Sequence, residues 1–201
     1  MNPYTKNEAG KTARVIRTFI CIEISASIKA RLAALQEDVR KLEAQVSWVK
    51  PANIHLTLKF LGDVPQAKLP QIIEAVRRIS GSCSPFEVEV SGTGCFPSPR
   101  KPNVLWIGLA KLPQSLITLQ QSLEDELERE GFARESKPFK PHLTIGRIRQ
   151  PRNAALLAEE LLKPGFASES FAVHEVIVMH SDLMPRGAIY IPLATIPLGS
   201  L

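Results

Sequence analysis

Apolar positions along the chain switch repeatedly between a period of two and a period near 3.6, which predicts strands alternating with helices. Val15 to Ile24 is rich in β-branched and aromatic residues and reads as a strand. Ile28, Leu32, Leu35, Val39 and Leu42 then fall on one helical face, with Ser25 or Ser27 as the cap and an end near Ala44. Trp48 to Pro51 is a short extended piece and Ile54 to Leu61 a strand. Gly62-Asp63-Val64-Pro65 turns the chain into a second helix carrying Leu69, Ile72, Ile73, Val76 and Ile79. Phe86 to Val90 alternates as a half-buried strand should, Ser91 to Pro102 reads mostly as a Gly- and Pro-rich loop, and Val104 to Leu109 returns to strand. A third helix covers about Pro113 to Glu130, closed by Gly131. Then come a strand from His142 to Ile148, a short helix from Asn153 to Leu162, and two strands, Phe171 to His180 and Ala188 to Thr195.

This succession, with short connections, is that of an α+β domain with antiparallel or mixed sheets. Residues 1–13 lack periodicity and are expected to form a flexible tail before a single domain over 14–201. With 201 residues, 44% of them hydrophobic, the chain is long enough for one core and too apolar to stay disordered. No apolar run approaches the roughly 20 residues that span a bilayer. The net charge of +5 permits a polyanionic partner without demanding one. Cys21, Cys83 and Cys95 form no CxxC pair and leave one over, which fits a reducing compartment and a cytoplasmic location.

One internal repeat carries chemistry. Lys50-Pro51-Ala52-Asn53-Ile54-His55-Leu56-Thr57-Leu58 is matched by Lys137-Pro138-Phe139-Lys140-Pro141-His142-Leu143-Thr144-Ile145. Each copy has Lys-Pro, three further residues, then His-Leu-Thr and an aliphatic residue, over 55–58 and 142–145. On a strand His and the Thr two positions on share one face, while Leu56/Leu58 and Leu143/Ile145 share the other. Two such strands about a pseudo-twofold axis would present two imidazoles and two hydroxyls to one groove, a set suited to a phosphate. The hydroxyls donate to non-bridging oxygens, and the imidazoles act as base and acid on opposite sides of phosphorus. No HxH or HExxH occurs and no carboxylate recurs in the repeat, so no metal or other cofactor is expected.

Paired HxTx tetrapeptides resemble those of the 2H phosphoesterase superfamily, and within it the chain resembles the RNA 2′,3′-cyclic phosphodiesterases, also called 2′-5′ RNA ligases. The likeness runs from Arg17 to Leu198. It includes Arg17-Thr18-Phe19-Ile20, Trp48-Val49-Lys50-Pro51, the block Asn53 to Gly62, Phe96-Pro97, Val104-Leu105-Trp106, the block Pro138 to Arg147, Ser181-Asp182-Leu183 and Gly187-Ala188-Ile189-Tyr190. The resemblance implies two pseudo-symmetric lobes, each an antiparallel or mixed sheet with helices outside, around a central groove with one HxTx motif per lobe. It further implies metal-independent hydrolysis of an RNA 2′,3′-cyclic phosphate end to a 2′-phosphate, reversible as 2′-5′ ligation. His55 would be the proton donor and His142 the proton acceptor, with the roles open to exchange, and Thr57 and Thr144 would hold the phosphate oxygens. The partner would be RNA with a cyclic phosphate end, or a small cyclic nucleotide, with no membrane and a monomeric enzyme.

Arg147 and Phe60 each lie five residues after a histidine, suited to neutralising phosphate and stacking on a base. Strict alternation turns both away from the histidines, and only a bulge, for which Gly146 is a candidate, would bring Arg147 in. Phe19 and Trp106 read as packing, His174 and His180 as structural, and Glu124 to Glu130 as a solvated helix face. Lys50 and Lys137 stand at equal distances before the motifs, where they could line the groove mouth. Two other functions remain open: a phosphodiesterase for a small cyclic nucleotide or cyclic ADP-ribose derivative, and a noncatalytic RNA-end-binding module.

Overall fold

The structure is a computed structural model that describes residues 4–6, 12–163, 165–185 and 187–199. The first half of the chain supplies β1 (Tyr4–Lys6), β2 (Thr12–Glu23), α1 (Ala26–Arg40), β3 (Val46–Trp48), β4 (His55–Pro65), α2 (Leu69–Gly81) and β5 (Phe86–Ser98). The second half supplies β6 (Lys101–Leu109), α3 (Gln114–Arg129), β7 (Leu143–Ile148), α4 (Ala154–Leu162), β8 (Glu169–Val173), β9 (Glu175–Met184) and β10 (Gly187–Pro197). The strands join in the order β10-β9-β2-β4-β7-β6-β5-β8, with β1 on β2 and β3 on β7. All the pairings are antiparallel. The fold is α+β, and among the described residues four α-helices pack against the core face of the sheet.

The two motif strands are neighbours at the centre. β4 and β7 meet through the pair Leu56↔Leu143, a seam between β10-β9-β2-β4 and β7-β6-β5-β8. The first half-sheet thus combines strands from both ends of the chain. α2 packs on α3 and on β9 and β10, whereas α4 packs on β5, β6 and α1. Leu56, Leu58, Leu143 and Ile145 are buried in the main core with Ile28 and Leu32 of α1 and Leu116 and Leu123 of α3. That burial fixes the opposite face of each motif strand toward the groove.

The helix ends follow local chemistry. Ser25 caps α1, its Oγ accepting from the Ile28 N–H at 3.3 Å. After α3, Gly131 adopts a φ of +87°, its N–H donating to Glu128 O (2.9 Å) while Phe132 N–H donates to Leu127 O (2.9 Å). These are the two bonds of a Schellman stop.

Several sequence expectations change. Within the expected tail, Tyr4–Lys6 pairs with Thr12, Ala13 and Arg14, because β2 starts earlier than its apolar run; residues 1–3 and 7–11 lie outside the described residues. Gly62 to Pro65 is not a turn. β4 continues through it, with a register shift opposite Thr18/Phe19 that Gly62 relieves at a φ of +70°. The expected loop of Ser91 to Pro102 is a hairpin whose strands pair down to Ser98↔Lys101; its glycines accommodate bulging and a close aromatic neighbour. The expected strand Phe171 to His180 splits at His174. β8 joins β5 and β9 joins β2 and β10, and the His174 carbonyl accepts from Leu198 N–H at 2.7 Å.

Nor is Glu124 part of a solvated face. It is 5% exposed and paired with Lys59, 2% exposed, at 2.5 Å. Lys59 also donates to Ala133 O (2.9 Å), and Glu124 accepts from Glu135 N–H and the Gln120 amide, both at 3.2 Å. Every partner of the buried Lys59 charge is thus supplied by α3 and the segment after it. Replacing one member by an isostere leaves the other charge buried and uncompensated. Lys59→Met is therefore expected to lower unfolding stability by about 3–5 kcal/mol in urea titrations, and Lys59→Met with Glu124→Leu to recover most of that loss.

Candidate active site

Both motif strands break their alternation at the same place. In β4, Cys21 pairs with Thr57 but Ile20 with Lys59, leaving Leu58 as the extra residue. In β7, Trp106 pairs with Thr144 but Leu105 with Gly146, leaving Ile145. Each bulge falls three residues after its histidine and makes two successive residues buried: Leu58 and Lys59, then Ile145 and Gly146. The fifth residue therefore returns to the groove side, and Arg147 and Phe60 both line the central cavity. The bulge anticipated at Gly146 exists, and an equivalent one in β4 turns Phe60 outward to 57% exposure.

The cavity has a volume of about 740 Å³, ample for a nucleotide. His55, Thr57 and Thr144 line it with Phe60 and Arg147. His142 does not. It lies beside the cavity, two residues before Thr144, in an aromatic corner with Phe96 edge-on at 5.2 Å and Trp106 at 6.3 Å between ring centroids. His55 is held more tightly, stacked on Phe19 at 4.7 Å and edge-on to Tyr190 at 5.3 Å. Phe19, expected as packing, is buried and also supports the imidazole.

Each histidine is oriented by its own backbone. His55 Nδ1 is 2.8 Å from Asn53 O, and His142 Nδ1 is 2.7 Å from Lys140 O. A carbonyl only accepts, so Nδ1 carries the proton in both rings and Nε2 is the atom left for chemistry. The Asn53 side chain adds a second tie, donating to Ala188 O of β10 at 2.7 Å. Burial holds both imidazoles below their ordinary value of 6.5. For His55 the Asn53 bond opposes that effect, and for His142 the Lys140 bond opposes it while Arg147 adds to it. Held below 6.5, both rings are mostly neutral at pH 7.

Sequence reasoning missed part of the wall. Arg17, Arg149 and Tyr190 line the cavity, as does Lys50, whereas Lys137 lies on a separate small depression. Arg17 lies two residues before Phe19 on the same strand face, a signal that was readable; Arg149 becomes readable only once the bulge is known. No Asp or Glu is among the cavity's lining residues. Cys21 is buried under Phe19 and its thiol is pushed up to about 12 by burial, which leaves it inert as a nucleophile. Among the described residues, no group of three His, Cys, Asp or Glu side chains is arranged to hold a metal ion. No helix among them is long and apolar enough to cross a membrane.

The model of the LigT-like phosphoesterases matches residues 22–106 and again 107–190, one copy per motif. The chain is 37% identical over 176 residues to the RNA 2′,3′-cyclic phosphodiesterase of Methanothermobacter thermautotrophicus, covering 87% of this chain and 95% of that protein. It is 32% identical over 190 residues to the enzyme of the same name from Aquifex aeolicus, covering 92% and 99%. The crystal structure of E. coli LigT complexed with 3′-AMP superposes with a TM-score of 0.77 at 26% identity, over 92% of this chain and 99% of that one. The chain belongs to the LigT-like phosphoesterase family, and it is a phosphoesterase of the 2H type.

Glycine is required where Trp106 lies flat on the hairpin. A methyl group at Gly94 would fall 2.2 Å from the indole Cη2 and Cζ2. Gly94→Ala is expected to displace the ring beside His142, costing about 1–3 kcal/mol and altering tryptophan fluorescence, read in parallel urea titrations.

Proposed function

We propose that the protein hydrolyses RNA 2′,3′-cyclic phosphate ends to 2′-phosphates by two-histidine acid–base catalysis, with residues 14–201 acting as one bilobal catalytic unit. The observation that carries this reading is the pair of imidazoles with backbone-fixed tautomers, each beside a groove-facing threonine, at a cavity lined by cations and no carboxylate. Support comes also from relatives named as RNA 2′,3′-cyclic phosphodiesterases.

The cavity's one-sidedness favours the assignment of roles. His55 lines the cavity, whereas His142 stands beside it. With the ribose in that cavity, O3′ leaves toward His55 and water approaches phosphorus from the His142 side. His142 Nε2 takes a proton from water as the water oxygen bonds to phosphorus. The P–O3′ bond breaks and O3′ takes the proton from His55 Nε2, leaving the phosphate on O2′. Thr57 and Thr144 donate to the non-bridging oxygens, Arg147 offsets their charge and Phe60 stacks on the base. With a 5′-hydroxyl in place of water, the same steps form a 2′-5′ linkage.

The test is a short RNA ending in a 2′,3′-cyclic phosphate, incubated with excess EDTA and resolved for product isomers. Conversion to the 2′-phosphate is expected to persist in EDTA and to fall by about 10²–10⁴ in His55→Ala and in His142→Ala. Tight binding of the intact end without turnover would instead mark a binding module.

The pH profile follows from the lowered histidines. Catalysis needs one imidazole protonated and one neutral, and the free enzyme loses its proton below the ordinary value of 6.5. As pH rises above that value kcat/KM should fall by about tenfold per unit, a slope belonging to the pair of imidazoles together. A profile flat from pH 6.5 to 8.5 would remove His55 as proton donor.

A further inference from the structure

The cavity holds more positive charge than one cyclic phosphate needs. Arg31, Arg40, Arg77, Arg78, Arg129 and Arg134 are each paired with a carboxylate. Among the described residues, Arg17, Lys50, Arg147 and Arg149 have no such partner, and all four line the cavity. A cyclic phosphodiester carries a single negative charge, and the two threonines with Arg147 suffice to hold it. The remaining cations call for another anion.

Their placement says which. Arg147 pairs across the ladder with Ser47 of β3, and the ladder continues past β7 because Arg149 N–H donates to Gln45 O at 2.8 Å. Arg147 and Arg149 are therefore alternate residues on one extended face, about 7 Å apart along the strand. The Arg149 side chain lies over that same face, its Nη2 donating to Ser47 Oγ at 3.0 Å, which leaves further guanidinium N–H groups for a ligand. Thr144, Arg147 and Arg149 thus form a track leading from the motif toward β3, with Lys50 at its side. One step along an extended single strand of RNA covers about the same length. The opposite wall, built on β2, β4 and β9, carries Phe60, Leu183 and Met184, exposed and lining the cavity, together with Arg17. Such a cleft receives phosphates on one side and bases on the other.

We infer that Arg149, with Ser47 and Lys50, binds the internucleotide phosphodiester immediately 5′ of the cyclic end, so that the enzyme selects oligonucleotides over cyclic mononucleotides. The inference rests on the proposed cyclic-phosphate reaction and adds a subsite to it. The Arg149 guanidinium takes the non-bridging oxygens through charge-assisted hydrogen bonds while its bond to Ser47 holds it over the track. The cyclic phosphate itself stays with the threonines and Arg147.

The experiment compares kcat/KM for a 2′,3′-cyclic mononucleotide, for a dinucleotide ending in the same cyclic phosphate, and for that dinucleotide with an uncharged methylphosphonate linkage. Wild type is expected to prefer the charged dinucleotide by about tenfold or more, one charge-assisted contact's worth. Arg149→Ala should abolish the preference by lowering dinucleotide kcat/KM about tenfold more than mononucleotide kcat/KM, and Arg149→Lys should restore part of it. The methylphosphonate should reduce wild type to the level of Arg149→Ala and have no further effect on that variant. Dependence of dinucleotide kcat/KM on salt should weaken in Arg149→Ala by about 0.7 in logarithmic slope. Equal loss on mono- and dinucleotide, or equal rates for charged and methylphosphonate linkages in wild type, would overturn the subsite while leaving the cyclic-phosphate reaction standing. Wild type inert toward all three would overturn the reaction, and the subsite with it.

Discussion

The site depends on two matched irregularities in otherwise regular strands. A bulge three residues after each motif histidine leaves the His–Thr alternation before it intact and brings the fifth residue back to the groove side, which strict alternation forbids. Each bulge leaves backbone or side-chain polar groups inside the core, and each is answered from behind by a helix. On the β7 side, Gln36 of α1, 1% exposed, donates from Nε2 to Ile145 O and Val49 O, both at 2.8 Å. On the β4 side the bulge carries Lys59 itself inward, and Glu124 of α3 meets it. Gln36 and Glu124 each lie ten residues into their helices, so the pseudo-symmetry extends from the catalytic strands to the polar supports beneath them.

The chemistry of the two supports differs. An amide bridging two carbonyls is neutral and satisfied at each end. A buried ion pair carries a desolvation penalty that only complete hydrogen bonding offsets. Ala133 O, Glu135 N–H and the Gln120 amide supply that completion. The pair also ties β4 to the segment that follows α3 and leads toward His142, coupling one half of the sheet to the approach to the other.

The two halves are similar in plan and unequal in detail. Both rings have their tautomer set by the carbonyl two residues earlier. His55 is stacked on Phe19 and stands against Tyr190, with Asn53 fastened to β10, whereas His142 rests among Phe96 and Trp106 at the side of the cavity. On the His55 side the cavity is walled by Leu183, Met184 and Ala188 of β9 and β10. The two motif copies thus stand in unlike surroundings.

How much was readable in the chain follows from the range of the interactions involved. Periodicity located all four helices, because an apolar stripe is local and repeats over many residues. The duplicated His-Leu-Thr picked out His55, Thr57 and Thr144, which line the cavity, and His142, which lies beside it, since two-residue alternation between His and Thr precedes either bulge. Glycines misled it: Gly62 and the glycines of 91–102 look like turn signals, yet they serve bulges and the close approach of Trp106 within long strands. Glu124 looked solvated because its neighbours on α3 are, and its partner lies 65 residues earlier. Arg147 and Phe60 could not be placed without the ladder register, which a neighbouring strand imposes. The sequence by itself determined the helices and the duplicated His-x-Thr pattern, since these depend on local periodicity and residue identity. Only the tertiary structure decided the inward turn of Arg147, the buried pair, and the side on which the cavity opens, since each depends on partners distant in the chain.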